Sequence, residues 1–119
     1  MVPRIKSLLN YVEDRRIDYL TFKSAPGYKN YYHSMYKNYF EFAAINKGLK
    51  SNDYSDPSEY DHYEFRIINF TNPNTDLDAL PGLRVIYNTI DLKNISRLTS
   101  TEDSFKVACD VYDIIMNNF

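Results

Sequence analysis

Tryptophan is absent from this chain, cysteine occurs once, and glycine and proline occur only three and five times in 119 residues. The lone Cys109 has no partner for an internal disulfide, which fits a reducing compartment. A zinc site needs four close ligands, and Cys109 with the two histidines, His33 and His62, cannot supply them without carboxylate help. Scarce Gly and Pro, set against 12 Tyr and 7 Phe, exclude a low-complexity or disordered chain. No stretch approaches the uninterrupted apolar length of a membrane span, and Met1 to Asn10 lack the apolar run of a secretion signal. The expectation is a soluble, cytoplasmic chain forming one domain over residues 1–119. Gly-x-Ser-x-Gly and Gly-rich phosphate loops are also missing, which removes the commonest nucleophile and nucleotide signatures.

What is present is tyrosine. Tyr28-Lys29-Asn30-Tyr31-Tyr32 returns eight residues later as Tyr36-Lys37-Asn38-Tyr39-Phe40. Tyr28, Tyr31, Tyr32, Met35, Tyr39, Phe42 and Ala43 follow helical spacing, so the pattern predicts a central amphipathic helix. Pro26-Gly27 would start it, and Asn46-Lys47-Gly48 would stop it with a left-handed residue.

Elsewhere, Pro3 opens a helix carrying Ile5, Leu8, Leu9 and Val12 on one side. Alternation predicts strands at 17–23, 63–70 and 83–90, the second being the clearest because Tyr63, Phe65 and Ile67 oppose Ile68 and Phe70. Leu77 and Leu80 in the polar stretch between the last two are expected to fold back onto the body. Leu92, Ile95 and Leu98 suggest a short helical turn or an irregular edge. Thr99 with Glu102 reads as the capping box of a last helix whose stripe is Phe105, Ala108, Val111, Tyr112, Ile115 and Phe119. The fold class read from these patterns is α+β, about three helices on a two- to four-stranded sheet.

The charge is unevenly distributed. Residues 1–50 hold nine Lys or Arg against four acids, 51–65 hold five acids and no base, and the net charge is -2. The acidic stretch Asp53, Asp56, Glu59, Asp61 and Glu64 gathers oxygen ligands, and Asp56, Asp61 and Glu64 followed by Arg66 resemble the carboxylate array of a metal-dependent nuclease. The favoured reading of this stretch is a solvated acidic loop, because charge runs are usually solvated faces. In the basic half, Arg15, Arg16, Lys29 and Lys37 interleave with Tyr28 and other tyrosines, the mixture a single-strand nucleic-acid binder uses, although a pI near 5.6 opposes that reading.

The leading expectation is a protein-binding module without a cofactor. Tyrosine offers large contact area at low entropic cost, and this chain holds more of it than a small core needs. The residues assigned to the partner are Tyr36, Phe40, Tyr54, Asp53, Asp56, Glu59 and Asp61. The partner is a host protein or a second copy of the chain, and the composition fits small viral or mobile-element products that inhibit a host protein. Nucleic acid is the alternative partner, and a membrane is not expected.

Overall fold

A computed structural model gives the fold and describes residues 3–29 and 42–119. The described residues contain helices and no strand: α1 (Pro3–Ser24), α2 (Phe42–Lys50), α3 (Tyr60–Ile68), α4 (Leu83–Ile90), a 3-10 helix (Leu92–Arg97) and α5 (Thr101–Asn117). The α+β expectation is therefore wrong, and so are its three strands.

The reason is the same at each. The stretch 17–23 is the second half of α1, because Arg16, Tyr19 and Leu20 continue the helical register as well as they alternate. In 63–70 the buried side chains are Tyr63, Arg66, Ile67, Asn69 and Phe70, which recur at helical spacings of three and four, while Ile68 is exposed. In 83–90 they are Leu83, Ile86 and Ile90, with Val85 exposed. Short apolar runs satisfy both periods, and only packing separates them.

The closest helix pair is α1 with α5. Leu8 and Val12 of α1 meet a core built from Tyr63 and Ile67 of α3, Leu83, Ile86 and Ile90 of α4, and Ala108, Val111 and Ile115 of α5. Leu80 is buried and Leu77 packs on its edge, so the polar connection does fold back. At roughly 1.5–3 kcal/mol for each large apolar side chain removed from water, this cluster is the main source of stability. On α5 the stripe includes Ser104 and Val107 and leaves out Phe105 and Phe119, which are 40% and 50% exposed.

Helix ends are set by named side chains. The α5 cap lies one residue later than the expected box: Ser100 Oγ accepts from the Asp103 amide at 3.2 Å. Asp103 Oδ2 in return accepts from the Thr99 amide at 2.8 Å and the Thr99 hydroxyl at 3.0 Å. Helix α4 lies between two left-handed residues, Gly82 at φ 82° and Asp91 at φ 49°. The positive φ favours glycine there, and a Cβ on Gly82 would also stand 2.6 Å from Asn118 Nδ2, so that side chain would have to move. Asp91 is steadied by Asn94 Nδ2, which donates to both carboxylate oxygens at 3.1 and 2.9 Å. Arg97 then donates to the carbonyls of Thr89, Ile90, Asp91 and Asn94, closing the α4 C-terminus.

The expected stop at Asn46-Lys47-Gly48 is not a stop, since α2 runs through it to Lys50. Gly48 is needed for space instead of a left-handed turn. A Cβ there would meet Phe65 Cζ at 3.0 Å and Tyr54 Cε2 at 3.2 Å. The expected central helix is described only at its ends: residues 26–29 are helical, α2 begins at Phe42, and the rest of the repeat, including His33, lies outside the described residues.

Gly48→Val should therefore lower the midpoint of thermal unfolding, by a cost of about 1–3 kcal/mol for overpacking. Gly48→Ala should fall between this variant and wild type, because a helix-propensity gain of about 1 kcal/mol offsets part of the crowding. An unchanged midpoint in both would show that the ring pair moves aside freely.

Candidate functional site

The acidic segment becomes a strap, residues 49–59, lying across one face of α3 and held from beneath. Its main anchor is Arg66, whose residue exposure is 1%. Arg66 Nη1 donates to the Leu49 carbonyl at 2.7 Å, Nε to the Tyr54 carbonyl at 3.0 Å, and Nη2 to the Ser51 carbonyl at 3.2 Å and Ser55 Oγ at 3.4 Å. No carboxylate pairs with this guanidinium among the described residues. Its compensation is the partial negative charge of carbonyls at the α2 C-terminus, which is where a cation is favoured. Burial lowers its affinity for the proton and the more distant Asp76 opposes that shift, yet an arginine stays charged.

A second anchor sits one turn back. His62 Nδ1 accepts from the Asp56 amide at 3.1 Å, which places the proton of a neutral imidazole on Nε2. Between the two anchors the Tyr54 ring stacks on Phe65 at 3.9 Å and 20°, and meets the His62 ring edge-on at 5.4 Å. Tyr54 is thus half-buried and works first as a strut of the strap. Next to it, Asp56 Oδ1 accepts from the Ser58 amide at 2.9 Å and the Ser58 hydroxyl at 2.7 Å, which holds its carboxyl below the usual carboxylate range.

With its backbone pinned, the strap turns Asp53, Asp56 and Glu59 outward, and Asp61 follows in the first turn of α3. Asp53, Asp56, Glu59 and Asp61 are all exposed, and none forms an ion pair among the described residues. Glu64 is half-buried on α3. Among the described residues no three His, Cys, Asp or Glu side chains converge closely enough to hold a metal ion, so Asp56, Asp61 and Glu64 are not brought together as a cation site. Of the other residues singled out in the sequence, Tyr36, Phe40 and Lys37 lie outside the described residues.

The basic candidates are unequally available. Arg15 Nη2 pairs with Asp18 Oδ2 at 2.9 Å and its guanidinium lies 5.6 Å from the Tyr11 ring. Arg16 forms a close ion pair with Glu13 of the same helix. Tyr28 and Lys29 are exposed. Glu13 also accepts from the Thr101 hydroxyl at 3.2 Å, so this carboxylate joins α1 to the N-terminus of α5. The Arg16 hydrogen bond is the chief reason that its carboxyl is held below the ordinary range, and the fully buried Ser104 hydroxyl faces the carboxyl from beyond full hydrogen-bond geometry. Desolvation pushes Tyr11, on the same helix, up to about 12.

Sequence reading missed the two anchors. The signal for Arg66 was a single charge inside the apolar run Phe65-Arg66-Ile67-Ile68, where a solvated side chain would have no route outward from a buried face. His62 offered no comparable signal. No protein-family model, curated protein or solved structure matches this chain. Among the described residues no helix is long and apolar enough to cross a membrane.

Arg66→Met should cost about 1–3 kcal/mol for each carbonyl left dry, and make the 49–56 backbone sensitive to limited proteolysis. Arg66→Lys should rescue little, because an ammonium lacks the planar fork that reaches three carbonyls; full rescue in urea unfolding would show that charge alone suffices. For the carboxylates, the folded form holds Glu13, Asp56 and Asp103 more acidic than the unfolded chain does. Their contribution is present above the ordinary carboxylate range of about 4 and is lost as pH falls through the lower folded values. Glu13→Gln and Asp103→Asn should each lower the urea midpoint at neutral pH and flatten its decline in acid; parallel acid limbs for variant and wild type would refute this.

Proposed function

We propose that this chain is a protein-binding module whose contact surface is the acidic strap, and whose partner presents a basic surface. The observation that carries the reading is the combination of the exposed carboxylates of Asp53, Asp56 and Glu59, joined by Asp61 at the start of α3, with a strap backbone fixed beneath them by Arg66 and His62. A pre-organised surface pays less ordering entropy when it docks, and clustered charge of one sign steers a complementary partner into register. Exposed apolar side chains on α1, Ile17 at 46% and Leu20 at 51%, supply apolar area of the kind that protein contacts use. The nucleic-acid reading draws less support, because Arg15 and Arg16 already face Asp18 and Glu13.

The test is retention of proteins from a lysate, treated with nuclease, on immobilised wild type and on the combined variant Asp53→Asn, Asp56→Asn, Glu59→Gln and Asp61→Asn. A retained protein should be identified, purified and titrated, with affinity for the variant lower by about tenfold or more and a marked salt dependence in wild type. Retention that nuclease abolishes, or equal affinity of the two proteins, would overturn the proposal.

A further inference from the structure

The strap is fastened to α3 by two side chains one turn apart, and they differ in one chemical respect. Arg66 donates to carbonyls and stays charged over the whole range in which proteins fold. His62 accepts, through the Nδ1 lone pair, from the Asp56 amide. Imidazole is the side chain whose charge changes between about pH 5 and 8. Once a proton from solvent occupies Nδ1, the nitrogen is a donor and faces another donor, the Asp56 N–H.

We propose that His62 is a proton-operated latch on the acidic strap: neutral imidazole holds the 54–58 segment down, and imidazolium releases the Asp56 amide. The groups that bear on the ring are few. From the strap they are the Tyr54 ring, edge-on at 5.4 Å, and the Asp56 carboxylate, whose charge acts on His62. On α3 and its cap, Glu59, Asp61 and Arg66 stand within about one turn.

The Asp56 carboxylate decides what replaces the lost bond. In the neutral state its Oδ1 is turned to the amide and hydroxyl of Ser58. The new Nδ1–H needs an acceptor; the Asp56 carboxylate, whose charge acts on His62, can serve through Oδ2, since both Ser58 hydrogen bonds fall on Oδ1. The latch therefore exchanges an amide-to-imidazole bond for an imidazolium-to-carboxylate bond and frees the strap backbone at Asp56. At the other anchor, the carbonyls of Leu49 and Ser51 stay on Arg66, so the release is local. This device goes beyond the binding role and stands on its own geometry, whether or not the strap meets a basic partner.

The experiment uses the full chain and needs no ligand. Nitrogen-15 shifts of the His62 ring at about pH 7.5 should show Nδ1 as the unprotonated nitrogen, and hydrogen exchange should give the Asp56 amide a protection factor that falls about tenfold by about pH 5.5. Amides of α5 should not change over the same interval. His62→Asn keeps an acceptor near the position of Nδ1 without a titrating group, so its Asp56 protection should be level with pH. A proton found on Nδ1 in the neutral ring, Asp56 protection that does not fall in wild type, or the same fall in His62→Asn would each overturn the latch. Should His62→Asn fail to fold, the ring shifts and the wild-type exchange profile decide the matter alone.

Discussion

A buried guanidinium with carbonyls for company is the constraint on which one side of this molecule depends. Arg66 cannot reach water from its place on α3, and an unmet charge there would cost far more than the domain can sustain. The chain meets it by bending back after α2 so that the carbonyls of Leu49, Ser51 and Tyr54 converge on one fork. The course of the backbone from Lys50 to Ser55 follows from that demand. So does the position of α2, whose Gly48 must lie flat against the Tyr54 and Phe65 rings for the carbonyl of the next residue to reach Nη1. Asn72, buried and donating to Asn46 Oδ1 at 2.8 Å, ties the same helix to the loop after α3.

On the opposite side the arrangement is conventional. α1 and α5 bury Leu8 and Val12 against Ala108 and Val111, and their polar edge is closed where Glu13 meets Arg16 and Thr101. Here the apolar contact supplies the free energy, and the carboxylate fixes the register of one helix on the other. The molecule thus joins a helix pair held by its core to a strap held by hydrogen bonds.

How far this was legible in the sequence can be read from particular residues. Helix α1 was legible at its start, because Pro3 and the spacing of Leu8 and Val12 are unambiguous, and α5 was legible because a cap and a long stripe coincide. The error of one residue at the cap arose because Thr99-x-x-Glu102 and Ser100-x-x-Asp103 are overlapping candidates, and only the backbone decides between them. The three false strands came from short runs with apolar side chains on both sides, where Ile68 and Val85 completed an alternation that the core does not use. Gly48 was misread because its usual role, a left-handed cap, hid a rarer one. As to the candidate site, the acidity of the strap could be read directly, while its fastening could not: hydrogen bonds from side chains to carbonyls leave no pattern in composition or period.

Helix α4 carries a consequence for how the chain can vary in length. Its two ends are left-handed residues, Gly82 and Asp91, the first wedged against Asn118 and the second bound by Asn94, with Arg97 closing the last carbonyls. One residue added between them would turn the helix by about 100° and swing Ile90 out of line with Leu83 and Ile86. Neither end could take up the slack, because each is fixed to a different neighbour. The segment therefore behaves as a gauge block of eight residues that sets the distance between the loop before it and the 3-10 helix after it. Variation in length is left to the stretches around it, and above all to the exposed turns at Pro73 and Asp78.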